Sequence, residues 1–205
     1  MLLADIGNTR IHIYDGKKVI HLSHEEGIKK YANKKIKYIT VKHQLKEKLS
    51  SMKNWEDVSD LMRIPNEYNT MGIDRKALCL SHSTGIFVSA GSAITVDVVE
   101  NGLYQGGFLL PGLKAYIEAY ASISPALETT LNSSVSLTDL PILTKDAISF
   151  GIISSIKTLI EKYQGKKKLY LSGGDGELLS SFFENVVYDE TLIFQGMKKA
   201  LKSLK

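Results

Sequence analysis

A single cysteine, Cys79, stands among 205 residues. One thiol cannot close an internal disulfide, and its apolar neighbours Ala77, Leu78 and Leu80 place it in a core, so a reducing compartment is expected. The chain has no apolar run near the roughly 20 residues that a bilayer-spanning helix needs. Met1 leads straight into Leu2-Leu3-Ala4 with no basic segment and no apolar stretch of leader type, so no membrane association and a cytoplasmic location are expected. His12, His21, His24, His43 and His82 show no ligand-like pairing with cysteine or acid, which argues against a zinc site. An excess of charge of one sign is also lacking, with a mild formal net charge of +4. The lysines cluster near turns and helix ends, as in Lys166-Lys167-Lys168, without interleaved aromatics. No nucleic-acid platform is expected from that pattern, and a small anionic substrate is compatible with it.

What is present is an ordinary globular composition, long enough for one or two domains around a sizeable core. The most informative stretch is the N-terminus. Two apolar runs, ending at Ala4 and starting at Ile11, flank the polar bend Asp5-Ile6-Gly7-Asn8-Thr9 in the form of a β-hairpin. Glycine at 7 permits positive φ and close approach, so its amide is able to face an anion. A carboxylate at Asp5 cannot hold phosphate but is able to hold the magnesium that accompanies it. The pattern fits a nucleotide phosphate loop; taken alone, it also fits a polar hairpin turn.

A second meander follows the same plan: Ile86 to Ala90, Ala93 to Val99 and Leu103 to Leu110, joined through Gly91-Ser92 and Asn101-Gly102. Two half-size units are therefore expected, 1–85 and 86–205. Strands first and alternating helices and strands afterwards predict an α/β protein with mixed sheets and helices packed on them. A helix opens after Gly72 with Asp74 and Arg75 in its first turn, and Gly85 stops it. Thr144 is expected to cap a long helix reaching about Tyr163, and a last helix reaches about Leu204. Glycine-containing bends recur at the ends of the expected strands, at Asp5 to Thr9, Gly91-Ser92, Gly106-Gly107 and Gly173-Gly174. Matching bends in two halves suit the two sides of a triphosphate, because phosphoryl transfer asks mainly for positioning and charge stabilisation.

Four segments occur in order over essentially the whole chain: Asp5 to Thr9, Gly72-Ile73-Asp74-Arg75, Gly91-Ser92-Ala93-Ile94-Thr95-Val96-Asp97, and Gly107-Phe108-Leu109-Leu110-Pro111-Gly112. Together they resemble type III pantothenate kinase, a family of the acetate and sugar kinase/Hsp70/actin superfamily. The resemblance implies two ribonuclease-H-like halves, the actin-like ATPase plan, with a cleft between them. It implies a kinase that uses ATP to phosphorylate pantothenate to 4′-phosphopantothenate, the first step of coenzyme A biosynthesis. ATP contacts are implied for Asp5, Ile6, Gly7, Asn8, Thr9, Arg10, Ile11, His12 and Ser92, with Asp5 as the magnesium-associated acid. Pantothenate contacts are implied for Gly72, Ile73, Asp74, Arg75, Thr144 and Tyr68, with Asp74 as proton acceptor. Arg75 offers bidentate hydrogen bonding to a carboxylate or a phosphate. A homodimer with pantothenate near the subunit interface is also implied.

One position departs from the family. Ser89 stands where many members carry an aspartate that binds potassium or ammonium, and a neutral hydroxyl is a much weaker cation ligand. Either the activation by a monovalent cation is lost, or other oxygens replace the ligand, or the site is impaired. Two further functional readings stay open on the residues. One is another kinase or ATPase of the superfamily, acting on a sugar or acid, which the short chain disfavours. The other is a non-catalytic relative that binds a partner or regulates expression.

Overall fold

Leu3, Ala4, Asp5 and Ile6 are all buried, which marks a strand covered on both faces. In the computed structural model, which describes residues 1–203, that strand is the middle of a five-stranded sheet. β1 (Leu2–Ile6), β2 (Ile11–Tyr14) and β3 (Val19–Leu22) form an antiparallel meander. The chain then crosses through α1 (His24–Tyr31) to β4 (Ile36–Thr40), and through α2 (Lys46–Ser50) to β5 (Trp55–Asp57), both added in parallel. The order is β3-β2-β1-β4-β5. Ser23 fixes the start of α1 in a capping box, its side chain accepting from the Glu26 N–H while Glu26 reaches back to the Ser23 N–H. Ile6, Ile11, Ile13, Tyr38 and Leu49 fill the core of this sheet.

After α3 (Ile73–Cys79) the plan repeats. β6 (Gly85–Ala90), β7 (Ala93–Glu100) and β8 (Leu103–Pro111) come first. The chain continues through α4 (Leu113–Ile123), α5 (Thr144–Gln164), β9 (Leu169–Ser172), α6 (Gly176–Ser180), β10 (Val186–Tyr188) and α7 (Leu192–Lys202). The second sheet has the order β10-β9-β6-β7-β8, the first sheet's order with each strand replaced by its counterpart. β9 joins β6 in parallel, as β4 joins β1. The expected α/β class with two mixed sheets is what the chain forms. The core of the second sheet is built from Ile86, Val88, Val96, Ile152, Ile156 and Leu171.

The chain divides into two compact units whose limits differ from a single cut after residue 85. One holds Met1–Thr84, Val99–Gly106 and everything from Asp189 onward; the other holds Gly85–Val98 and Gly107–Tyr188. The last helix belongs to the first unit because its Gly196 lies directly on the backbone of α3. The tip of the β7–β8 hairpin belongs there as well: the Asn101 N–H donates to Thr84 Oγ1 and the Tyr104 N–H to the Pro65 carbonyl.

Three local expectations are corrected, and a fourth falls outside the described residues. Asp5 and Ile6 lie inside β1, so the bend is only Gly7 to Arg10. Gly85 does not stop a helix; it opens β6, where an added Cβ would meet the Tyr170 ring at 2.7 Å. Thr144 does not cap α5 but is its first residue, because the extended Leu143 is the half-in position and accepts the Ala147 N–H at 2.8 Å. The last helix ends at Lys202, and the expected end at Leu204 lies outside the described residues.

Candidate active site

Asp5 faces the interior from the central strand, 6% exposed, and its Oδ1 has no hydrogen-bond partner. Burial, and then the negative charge of Asp74, push its pKa from 3.8 up to about 8. A buried carboxylate oxygen that no donor satisfies suits a hard cation. Asp74 itself sits in the first turn of α3, where its Oδ1 accepts the Arg75 N–H at 2.9 Å. Gly72 precedes it at the cap, and a Cβ there would stand 2.7 Å from Asp74 Oδ1. The glycine keeps the carboxylate's flank open; any larger residue would displace the oxygen.

The bend beside Asp5 does not use glycine as expected. Gly7 is absent from the positive-φ residues, and its N–H donates to the Arg10 carbonyl at 3.0 Å, closing the turn on itself. What the turn presents outward is Asn8, Thr9 and Arg10, all exposed. It is braced from behind: His24 Nε2 donates to the Gly7 carbonyl at 2.9 Å and Lys42 Nζ to the Asn8 carbonyl at 3.1 Å. Ile11 is buried in the sheet core and acts through packing. His12, opposite Asp5 in the β1–β2 register, has its Nδ1 2.6 Å from that of His21, whose Nε2 lies 3.2 Å from Glu190. Such a contact requires one neutral ring. His12 is that ring, because burial, assisted by the charges of His21, Arg10 and His24, pushes its pKa down to about 4. His12 and His21 are therefore paired with each other, and His21 with an acid, and no group of three or more metal-binding side chains occurs among the described residues.

Arg75 is 5% exposed. Its Nη1 donates to the Tyr68 hydroxyl at 2.6 Å and its Nη2 to that of Tyr104 at 3.4 Å. The loop that presents Tyr68 is fastened by Glu67, whose Oε1 meets Lys76 at 2.8 Å and Arg63 at 3.1 Å. Burial alone would raise the Glu67 pKa, but Lys76, the Ile64 N–H and Arg63 hold it below the usual carboxylate value. Asp5, Asp74, Arg75 and Tyr68 thus all belong to the first unit. Ser89, Ser92 and Thr144 belong to the second. Ser92 is exposed in the β6–β7 bend, and its carbonyl accepts the Gly112 N–H at 3.2 Å. Ser89 pairs in register with Ser172. Thr144 opens α5 with its side chain exposed. Sequence reasoning missed Tyr104, Lys42, Glu67, Lys76, His21 and Glu190; Lys76 directly follows the Gly72 to Arg75 segment, Glu67 directly precedes Tyr68, and Tyr104 lies two residues before the Gly106-Gly107 bend.

The family model for type III pantothenate kinase matches residues 41–166. A type III pantothenate kinase of Campylobacter jejuni is 41% identical over 202 residues, which cover 98% of this chain and 97% of that one. The chain belongs to the type III pantothenate kinase family. A Helicobacter hepaticus type III pantothenate kinase is also 41% identical, over 98% of both chains. Among solved structures, a Campylobacter jejuni protein described as a Baf family transcriptional activator matches with a TM-score of 0.91 and 40% identity, over 100% of this chain and 98% of that one. A protein described as a 2-dehydro-3-deoxygalactonokinase from Sinorhizobium meliloti shares the fold alone, at a TM-score of 0.59 and 8% identity, over 99% of this chain and 98% of that one. This pantothenate kinase family member therefore has the actin-like ATPase fold, in agreement with the repeated strand order of its two sheets.

Proposed function

We propose that the protein phosphorylates pantothenate with ATP, giving 4′-phosphopantothenate, the first step of coenzyme A biosynthesis. The observation that carries this reading is the Gly72-Ile73-Asp74-Arg75 segment, which sets a carboxylate with an open flank beside a buried, tyrosine-braced guanidinium. Asp74 accepts the proton of the pantothenate hydroxyl as that oxygen attacks the γ-phosphorus in line. Arg75 and the Tyr68 hydroxyl receive the substrate carboxylate. The exposed Asn8, Thr9 and Arg10 receive the ATP phosphates. Ser92 offers a hydroxyl to ATP from the β6–β7 bend. Gly72 and Ile73 shape the wall beside the hydroxyl, and Thr144 supplies a hydroxyl to pantothenate.

Asp5 fits a magnesium ion, since one or two carboxylates plus phosphate oxygens and water make up its usual shell. Magnesium bound there neutralises charge on the transferring phosphoryl group. A carboxylate-held potassium or ammonium ion does not fit: Ser89 and its register partner Ser172 both offer neutral hydroxyls, and no part of the reaction is assigned to such an ion. The exposed Leu140, Ile142 and Leu143, leading into Thr144, support a homodimer in which a second copy covers this face; light scattering at monomer mass would refute it. No described helix is long and apolar enough to cross a membrane, and the enzyme is proposed to work in the cytoplasm.

ADP release with and without pantothenate tests the function. Release that depends on pantothenate is expected; release equally stimulated by sugars, or none with any acceptor, would reject the reading. A second measurement tests Asp5. Its folded pKa is raised, so the unfolded chain gives up this proton near pH 4 and the folded chain near pH 8. The metal-free protein therefore loses stability as pH rises across that window. Asp5 would hold magnesium only in its ionised form, so it would give up this proton when the metal binds. Titration calorimetry in buffers of different ionisation enthalpy is expected to show proton release on Mg-ATP binding at about pH 6, fading above about pH 8. The Asp5→Asn variant should release none from this site; equal release by both proteins would disprove the assignment.

A further inference from the structure

The two tyrosines on Arg75 are unequal. Tyr68 is 42% exposed, whereas Tyr104 is 6% exposed and lies behind it, the rings 6.1 Å apart and tilted by 45°. Tyr104 does three things from one position. Its hydroxyl accepts from Arg75 Nη2 at 3.4 Å, its ring packs on Tyr68, and its N–H donates to the Pro65 carbonyl at 2.9 Å at the base of the loop that carries Tyr68. The guanidinium is a planar fork of five donors, so acceptors on both terminal nitrogens fix the plane as well as the place. A tyrosine hydroxyl that accepts from arginine keeps its own proton to give. Tyr68, the exposed one of the pair, can direct that proton to an anion.

We propose that Tyr104 is a positioning residue that orients Arg75 and Tyr68 as a receptor for the carboxylate of the acceptor substrate, and so sets the site's preference for an anionic over a neutral substrate end. The inference rests on the pantothenate kinase reading. Physically, a pre-oriented arginine loses little side-chain freedom when it binds, while an unbraced one must be ordered by the substrate. The preference therefore depends on the brace as much as on the charge.

The test compares pantothenate with its alcohol analogue, in which the carboxylate is replaced by a hydroxymethyl group. Full-length wild type, Tyr104→Phe, Arg75→Ala and the double variant are assayed for kcat and KM on both substrates. Tyr104→Phe keeps the ring against Tyr68 and removes only the hydroxyl. It is expected to reduce the acid-over-alcohol ratio of kcat/KM about five-fold, mainly through the KM for pantothenate. In the Arg75→Ala background the same change should leave the ratio where Arg75→Ala alone puts it, because Tyr104 acts through the guanidinium. Each ratio is taken on one protein sample, so a reduced folded fraction cancels. Equal losses on acid and alcohol, an unchanged ratio, or a full further loss on top of Arg75→Ala would each overturn the role of Tyr104. A wild type that phosphorylates neither substrate overturns the kinase reading itself, a result visible before any variant is compared.

Discussion

Asp74→Asn is expected to lower kcat by about 10²- to 10⁴-fold while the protein stays folded. Asparagine is nearly isosteric, and its Oδ1 can still accept the Arg75 N–H that Asp74 accepts at 2.9 Å. The first turn of α3 therefore keeps its local hydrogen bond, and Gly72 still leaves room beside the amide. What is lost is the capacity to take a proton from the attacking hydroxyl. A second signature separates this loss from a general disturbance. Asp74 contributes to the raised pKa of Asp5, so removing its charge lets Asp5 ionise at lower pH. The proton release that accompanies Mg-ATP binding should then shift downward in pH in Asp74→Asn, measured by the same calorimetry. A folded variant with wild-type turnover would show that another group accepts the proton.

Gly196→Ala is expected to destabilise the protein by about 2–4 kcal/mol. An added Cβ would lie 1.7 Å from the Ala77 carbonyl oxygen and 3.2 Å from the Leu80 Cβ. Both obstacles are on or just after α3, and the closer one is backbone, which cannot rotate aside. The helices α3 and α7 must move apart, and the surrounding apolar faces lose contact. Because Asp74 and Arg75 lie in the first turn of α3, the displacement should also raise the KM for pantothenate in whatever fraction remains folded. Urea unfolding gives the stability and steady-state kinetics the second effect. An unchanged midpoint would show that the helices are less closely apposed than the structure has them.

Much of this was legible in the residues, for reasons that differ by element. The meanders were readable because short apolar runs separated by Asp-Gly, Asn-Gly and Gly-Ser bends leave few alternatives to antiparallel pairing. The Gly72 to Arg75 segment was readable because helix start, acid and arginine are adjacent in sequence. Gly85 was misread because its constraint is the Tyr170 ring, a residue far along the chain that no local pattern reveals. Gly7 was misread for the converse reason: a turn-forming residue was credited with an outward amide, whereas the turn consumes that amide internally. Tyr104 was invisible as a functional residue because its partners Arg75, Tyr68 and Pro65 all come from before β6, and only the folded hairpin brings it to them.

The composition of the first unit also bears on how the chain is made. Three separate stretches of sequence supply it, the last starting at Asp189. Lys199 Nζ donates to the Ser81 carbonyl across 118 positions of the chain. During synthesis, β1 to β5 and α3 leave the ribosome long before the helix that covers α3 exists. The second unit, whose residues run only to Tyr188, is complete first. Contacts of such long range slow folding and leave apolar surface waiting for its cover. A chain stopped before Asp189 would carry the residues of the candidate active site, yet it would lack the helix against which their own helix is seated.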